Sequence, residues 1–128
     1  MCLDTKMSPK EKAKFKEQTE GWKVLYKERS GALTGDNFAM SLERPKGEWL
    51  NEKDYRTGSG QPNYDGGKRY FYGWHIWLML DGARKWCKGH EPHLVIVKVK
   101  FNKPVSYGYQ NDHPVVVAKE MMILEDPQ

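Results

Sequence analysis

The chain has 128 residues, of which 38% are hydrophobic and 30% charged, and a formal charge of +4. That length fits one domain and buries roughly two-thirds of the surface the unfolded chain exposes, while the polar balance leaves part of the chain to a solvated arm or loop. The 2 cysteines, Cys2 and Cys87, form no CxxC motif, MCLDTKMSPKEKAKF has no apolar signal core and no run approaches a membrane span, so the expectation is a cytoplasmic protein with no disulfide framework and no membrane partner.

The N-terminal quarter carries the whole charge excess. Lys6, Lys10, Lys12, Lys14, Lys16, Lys23, Lys27 and Arg29 outnumber Glu11, Glu17, Glu20 and Glu28, and the rest of the chain is balanced. Such a segment attracts a polyanion or an acidic protein face, or is simply a solvated helix. Ser8 as cap, Pro9 at the first helical position and Glu11 three residues after Ser8 predict a helix start, and Gly21 a stop. With only Ala13 and Phe15 to bury, residues 1–20 read as a basic helical arm that frays or lies against a partner.

Trp22, Val24 and Tyr26 alternate with Lys23, Leu25 and Lys27, the pattern of a strand. Ser30-Gly31 turns the chain. Residues 37–44 are a second strand candidate, stopped by Pro45 and Gly47, and residues 48–55 are ambiguous. Residues 56–69, with Gly58, Gly60, Gly66 and Gly67 among Ser, Pro, Asn and Asp, read as a mobile loop.

The organising stretch is Tyr70 to Phe101. Tyr70 to Leu78 is aromatic and apolar, hence strand. Asp81 caps a short helix that runs through Cys87 and ends at Gly89. In His93 to Phe101 the first half is apolar on both faces and the second alternates with Lys98 and Lys100, so the strand is central at one end and wet on one face at the other. Asn102-Lys103-Pro104 bends the chain, Val105 to Tyr109 is a short strand, Gln110 to Pro114 a turn and Val115 to Leu124 the last strand. The sum is an α+β single domain, a mostly antiparallel twisted sheet with two short helices, spanning 21–124 behind the arm. In that architecture the segment at Met121-Met122-Ile123 lies beside Val95–Val99 and shares an apolar layer with the Trp74/Trp77 region.

Chemistry has few candidates. Glu120 sits in the apolar row Val116, Ala118, Met122, Leu124, and Lys119 in the row Val115, Val117, Met121, Ile123. Strict alternation sends one of these charges toward the core, where a carboxylate needs a partner or a raised pKa. The alternative is an ion pair or a place beyond the sheet edge. His75, between Trp74 and Trp77, is a candidate general base or a core histidine with one nitrogen bonded to the backbone. Cys87, His90 and His93 are weak metal candidates, with His113 and Asp112 on a later turn, and their spacing is compressed for a tetrahedral site, so no metal is expected.

Trp22, Tyr26, Tyr70, Tyr72, Trp74 and Trp77 stand among Lys23, Lys27, Lys68 and Arg69, a composition that suits either stacking on single-stranded nucleic acid or a strand core. Lys12, Lys16, Lys23, Lys27, Lys68 and Arg69 are therefore the candidate partner-binding residues. Gly66-Gly67-Lys68 lacks the rest of a phosphate loop, and Ser41, Ser59 and Ser106 have no neighbouring base in sequence.

Gly-Trp-His-Ile-Trp from Gly73, Ala83-Arg84 with Trp86, VIVKVKF, SYGY and VVVAKEMMIL together resemble small proteins encoded by phages and prophages, over about residues 20 to 124. The strand order and late glutamate also resemble compact ADP-ribosyltransferase-like folds. That likeness implies NAD as cofactor, Arg29 or His75 as the dinucleotide-binding residue and Glu120 as the catalytic one.

The first functional expectation is a phage-type accessory protein without a cofactor, which binds a host protein or protein–nucleic-acid complex in the host cytoplasm and inhibits a defence or nucleic-acid enzyme. The alternatives are an ADP-ribosyltransferase-like enzyme and a direct nucleic-acid binder acting through Lys12, Lys16, Lys23 and Lys27.

Overall fold

The computed structural model describes residues 5–27, 33–34, 46–51, 63–65, 68–70, 73–88 and 94–125, with backbone pairing alone for 33–34, 63–65 and 68–70. The elements are β1 (Thr5–Lys6), α1 (Pro9–Ala13), β2 (Glu20–Lys27), β3 (Leu33–Thr34), β4 (Trp49–Asn51), β5 (Asn63–Asp65), β6 (Lys68–Tyr70), β7 (Trp74–Trp77), α2 (Leu80–Lys88), β8 (Leu94–Gln110) and β9 (His113–Ile123). The expected strands at 37–44 and turn at Ser30-Gly31 lie outside the described residues. Among the described residues every strand pairing is antiparallel, apart from an isolated parallel bridge between Lys46 and Ile123, so the fold is α+β and mostly sheet.

The main sheet runs β1-β8-β2-β7-β9-β4, with β3 beside β2, and β8 also pairs with β9. That second pairing closes a circuit through β2, β8, β9 and β7. The circuit is possible because β8 has 17 residues. Its first part, to Lys100, pairs with β2, and from Val99 onward it pairs with β9. The weak link is β2 against β7, a single pair, Trp22 with Trp77.

Closing the circuit gives the sheet an inner and an outer face. Leu25, Trp74, Ile76, Val97, Val99, Phe101, Val116, Ala118, Met121 and Ile123 form one buried cluster, with each circuit strand contributing. Val24, Trp77, Val115 and Val117 form the other, with Ala83 of α2 and, partly buried, Trp22, Trp86, Leu94 and Ile96. Alternation along β2 and β8 is therefore as expected, with α2 covering the outer face. Ile123 pairs with Val99, and Trp74 shares their cluster, while Trp77 belongs to the other layer.

The alternation breaks at one corner. Ala118 and Met121, three residues apart, both belong to the inner cluster. On β8 the facing stretch carries Lys103 at φ 54, and a register shift between Pro104 and Ser106 sets two residues against one of β9. Lys119 and Glu120 are thus consecutive residues at an outward corner, Lys119 exposed and Glu120 half-buried. Neither charge enters the core, because both strands turn where strict period two was assumed. The bend also joins the two expected strands, 93–101 and 105–109, into one. The hairpin that follows matches its sequence: Asn111 and Asp112 have φ 50 and 65, as a two-residue turn between Gln110 and His113 requires.

The N-terminal arm is shorter in helix than expected and is held by its own sheet. Ser8 and Glu11 form the predicted capping box, but the helix ends at Ala13. Gly21 is not its stop; it lies in β2. Thr5 and Lys6 pair with Tyr109 and Gly108, Met7 is buried and Phe15 packs on the inner cluster. The Tyr109 hydroxyl donates to the Glu11 carboxylate. That bond, together with Ser8, holds Glu11 below the usual carboxylate range. Met7, outside the helix and buried in the inner cluster, supplies the anchor.

Two other elements differ from expectation. Asn63–Asp65 and Lys68–Tyr70 pair antiparallel, all but Tyr70 within the stretch 56–69 read as loop. Helix α2 starts at Leu80, which places Asp81 inside the first turn rather than at the cap.

Gly82 shows how tightly α2 is seated. A Cβ there would lie 2.5 Å from Trp77 Cε3 and 2.9 Å from His113 Cβ. In an open helix Gly→Ala gains about 1 kcal/mol. Here Gly82→Ala is expected to reverse that sign and cost about 1–3 kcal/mol through overpacking, read from urea midpoints.

Candidate functional site

His75 is buried, and its expected role as a core histidine matches its surroundings. Burial, then the Lys23 charge, push its imidazole down to about 3 against the pull of a bond to Gly73. A ring that stays neutral there is a poor proton acceptor. Lys23 sits beside it where β2 and β7 part. Its Nζ donates to the His75 carbonyl oxygen at 2.8 Å and lies 6.0 Å from the Trp74 ring centroid. Lys23 is half-buried at these contacts, whereas Lys12, Lys16 and Lys27 are exposed. Lys68 and Arg69 lie in β6, and their side chains are outside the description. Trp74 and Trp77 are core residues, 5% and 1% exposed.

Glu120 accepts from Asn102 Nδ2 at 3.2 Å and pairs with Lys103 Nζ at 3.6 Å. These partners belong to the sheet corner, whereas His75 is held at the β2–β7 junction. Arg29, His90 and His93 lie outside the described residues. Cys87 is half-buried against the α2-side cluster, and among the described residues no group of three metal-binding side chains comes together. Nor, among them, is any helix long and apolar enough to cross a membrane.

Among the described residues two buried side-chain polar atoms have no hydrogen-bond partner, Trp77 Nε1 and Gln110 Oε1. Trp77 is packed between Trp86, at a ring-centroid separation of 6.1 Å, and His113, at 6.4 Å and nearly edge-on. An unpaired buried amide oxygen costs about 1–3 kcal/mol, so Gln110→Met is expected to be neutral or to gain about 1 kcal/mol, measured by thermal and urea unfolding.

The surface feature that stands out lies beyond the end of α2. On β8, Leu94 and Ile96 pack against the α2-side cluster, but Lys98 and Lys100, the next residues on that face, do not. Cross-strand pairing extends the uncovered face. Trp49 faces Met122, Met122 faces Lys100 and Lys100 faces Glu20. The neighbouring row is Asn51, Glu120 and Asn102. Leu124 joins the edge by donating its N–H to the Lys98 carbonyl at 2.9 Å.

Trp49 is 44% and Leu124 36% exposed, the only large hydrophobics beside Met79 left so open among the described residues. Lys98 pairs with Glu20 at 3.6 Å and Lys103 with Glu120. Lys100, between them, is exposed and has no ion pair among the described residues. The face therefore combines an aromatic edge, two aliphatic neighbours and one unneutralised cation.

The wet Lys98/Lys100 face was legible in the sequence. Trp49, Met122 and Leu124 were not, because Trp49 fell in an ambiguous stretch and the β9 corner reverses which face Met122 joins. No protein-family model, no curated protein and no solved structure matches the chain.

Proposed function

We propose that this protein acts by binding a macromolecule, as a small phage-type accessory protein that engages a host protein or protein–nucleic-acid complex in the host cytoplasm and inhibits a defence or nucleic-acid enzyme. The observation that carries this reading is the uncovered sheet face, where Trp49 at 44% exposure stands with Leu124, Met122 and Lys100. Contiguous apolar side chains rimmed by polar ones mark interaction surfaces, and tryptophan is enriched among residues that dominate binding energy. The candidate catalytic residues lend the enzyme readings less support, since His75 is buried and neutral and Glu120 is bonded at a sheet corner.

The test is capture from host lysate by immobilised protein, with the bound species identified and its ratio measured. The reading expects one partner at a defined ratio, retained in Glu120→Gln, indifferent to NAD and lost in Trp49→Ala. NAD-dependent modification of a target, abolished by Glu120→Gln, would replace it with the transferase reading. Binding to bare oligonucleotide that falls steeply with salt would replace it with the nucleic-acid reading.

A further inference from the structure

The uncovered face also narrows the chemistry of what it binds, an inference that rests on the binding reading above. We infer that its partner is a protein segment presenting an apolar side chain and, beside it, one Asp or Glu, with the apolar group seated on Trp49, Met122 and Leu124 and the carboxylate on Lys100.

Lys100 is exposed and without a carboxylate of its own among the described residues. It lies in the same cross-strand row as Trp49 and Met122. Adjacent strands are about 4.8 Å apart, so the ammonium side chain rises roughly 10 Å across from the indole, within reach of neighbouring side chains of one extended segment.

Carboxylates bound the cation on both sides. Glu20 continues its row, and Glu120 stands in the adjacent row opposite Asn102. A phosphodiester strand puts a charge on every nucleotide and would run past both acids. A peptide with one carboxylate meets Lys100 and avoids them. Met122 and Leu124 favour the same occupant, because flexible aliphatic side chains accommodate an aliphatic or aromatic residue, whereas stacking surfaces for bases are aromatic. The Leu50 carbonyl, in the same short strand as Trp49, is taken by Trp74 Nε1 at 2.9 Å. That strand edge is thus partly satisfied from within, and side-chain recognition on the face is the mode that remains open.

The experiment is selection of displayed 12-residue peptides on the full chain, followed by affinity measurement of the enriched synthetic peptides. The expected consensus is an apolar residue within two or three positions of an Asp or Glu. Trp49→Ala should weaken the best peptide at least 10-fold. Lys100→Glu should weaken it about 5- to 10-fold and regain affinity for the same peptide with its acid changed to Lys. Circular dichroism should show both variants folded.

Enriched peptides that depend on Trp49 but carry no acid, or that ignore Lys100→Glu, would overturn this inference while leaving the binding reading intact. An oligo(dT) probe that displaces them at this face, with an affinity that falls steeply with salt, would overturn it too and would move the proposed function to the nucleic-acid reading. Failure to enrich any Trp49-dependent peptide would overturn the inference, and the lysate capture then decides the binding reading on its own.

Discussion

Lowering the pH from 6.5 to 4.5 should remove about 2 kcal/mol of folding stability, and His75→Gln should abolish most of that loss. The imidazole is depressed from 6.5 to about 3 in the folded protein, first by burial and then by Lys23. A depressed group favours its neutral form when folded. Above pH 6.5 the ring is neutral in both states and folding is not penalised. Below 6.5 the unfolded chain takes up a proton that the folded chain refuses, and each pH unit costs about 1.4 kcal/mol until the folded group itself titrates near 3.

Glu11, held below its ordinary 4.5, adds its own loss as pH falls below that value, so the upper window belongs to the histidine. Against a stability of roughly 5–15 kcal/mol this is a large fraction. Urea unfolding of both proteins across this range measures it, and parallel pH profiles for the two would show that His75 is not the cause.

Placing a methyl group on Gly21 should cost about 3 kcal/mol, near the upper end for overpacking, because its collision is with backbone. The Cβ would stand 2.6 Å from the Trp77 carbonyl oxygen and 2.7 Å from Ile76 Cγ2. That carbonyl cannot retreat easily, since Trp77 is also paired with Val115 on its other side. The damage falls on the single Trp22–Trp77 pair that closes the sheet.

Gly47 provides the comparison. It has φ +83 and nothing within 4 Å of a built Cβ, so Gly47→Ala should cost only the roughly 1–2 kcal/mol of a left-handed backbone. Urea midpoints for Gly21→Ala and Gly47→Ala give the contrast directly. Equal losses would mean that the close approach of β2 to β7 contributes nothing of its own.

Several elements were legible because their causes are local. The Ser8–Glu11 box is a matter of four adjacent residues and formed as read. The apolar-to-alternating switch in β8 marked where α2 stops covering it, since Leu94 and Ile96 need cover and Lys98 and Lys100 need water. Gly21 misled for the same local reason. A glycine after a helix-like run is an ordinary stop, and nothing in its neighbours reveals a strand passing within contact distance.

For Lys119 and Glu120 the ion-pair alternative held and strict alternation failed, because period two breaks at a corner made by the partner strand, with Lys103 at φ 54 and a register shift near Pro104. The candidate site suffered most. Its residues come from β4, β8, β9 and the chain after β9, and pairing across strands, not spacing along the chain, assembles them.

By itself the sequence determined the α+β character, the turn within Gln110 to Pro114, and which stretch of β8 stays wet, while of the expected seating of Met121 to Ile123 beside Val95 to Val99 only the Ile123–Val99 end formed, since Val95 to Val97 pair with β2. These follow from side-chain periodicity and turn chemistry, which act over a few residues. Only the tertiary structure decided that the sheet closes on itself at Trp22 and Trp77, that both charges at 119 and 120 face outward, and that Trp49, Met122, Leu124 and Lys100 share one open face. Those outcomes depend on which strands become neighbours, and that choice is made by how a 17-residue strand bends to pair with β2 at one end and β9 at the other.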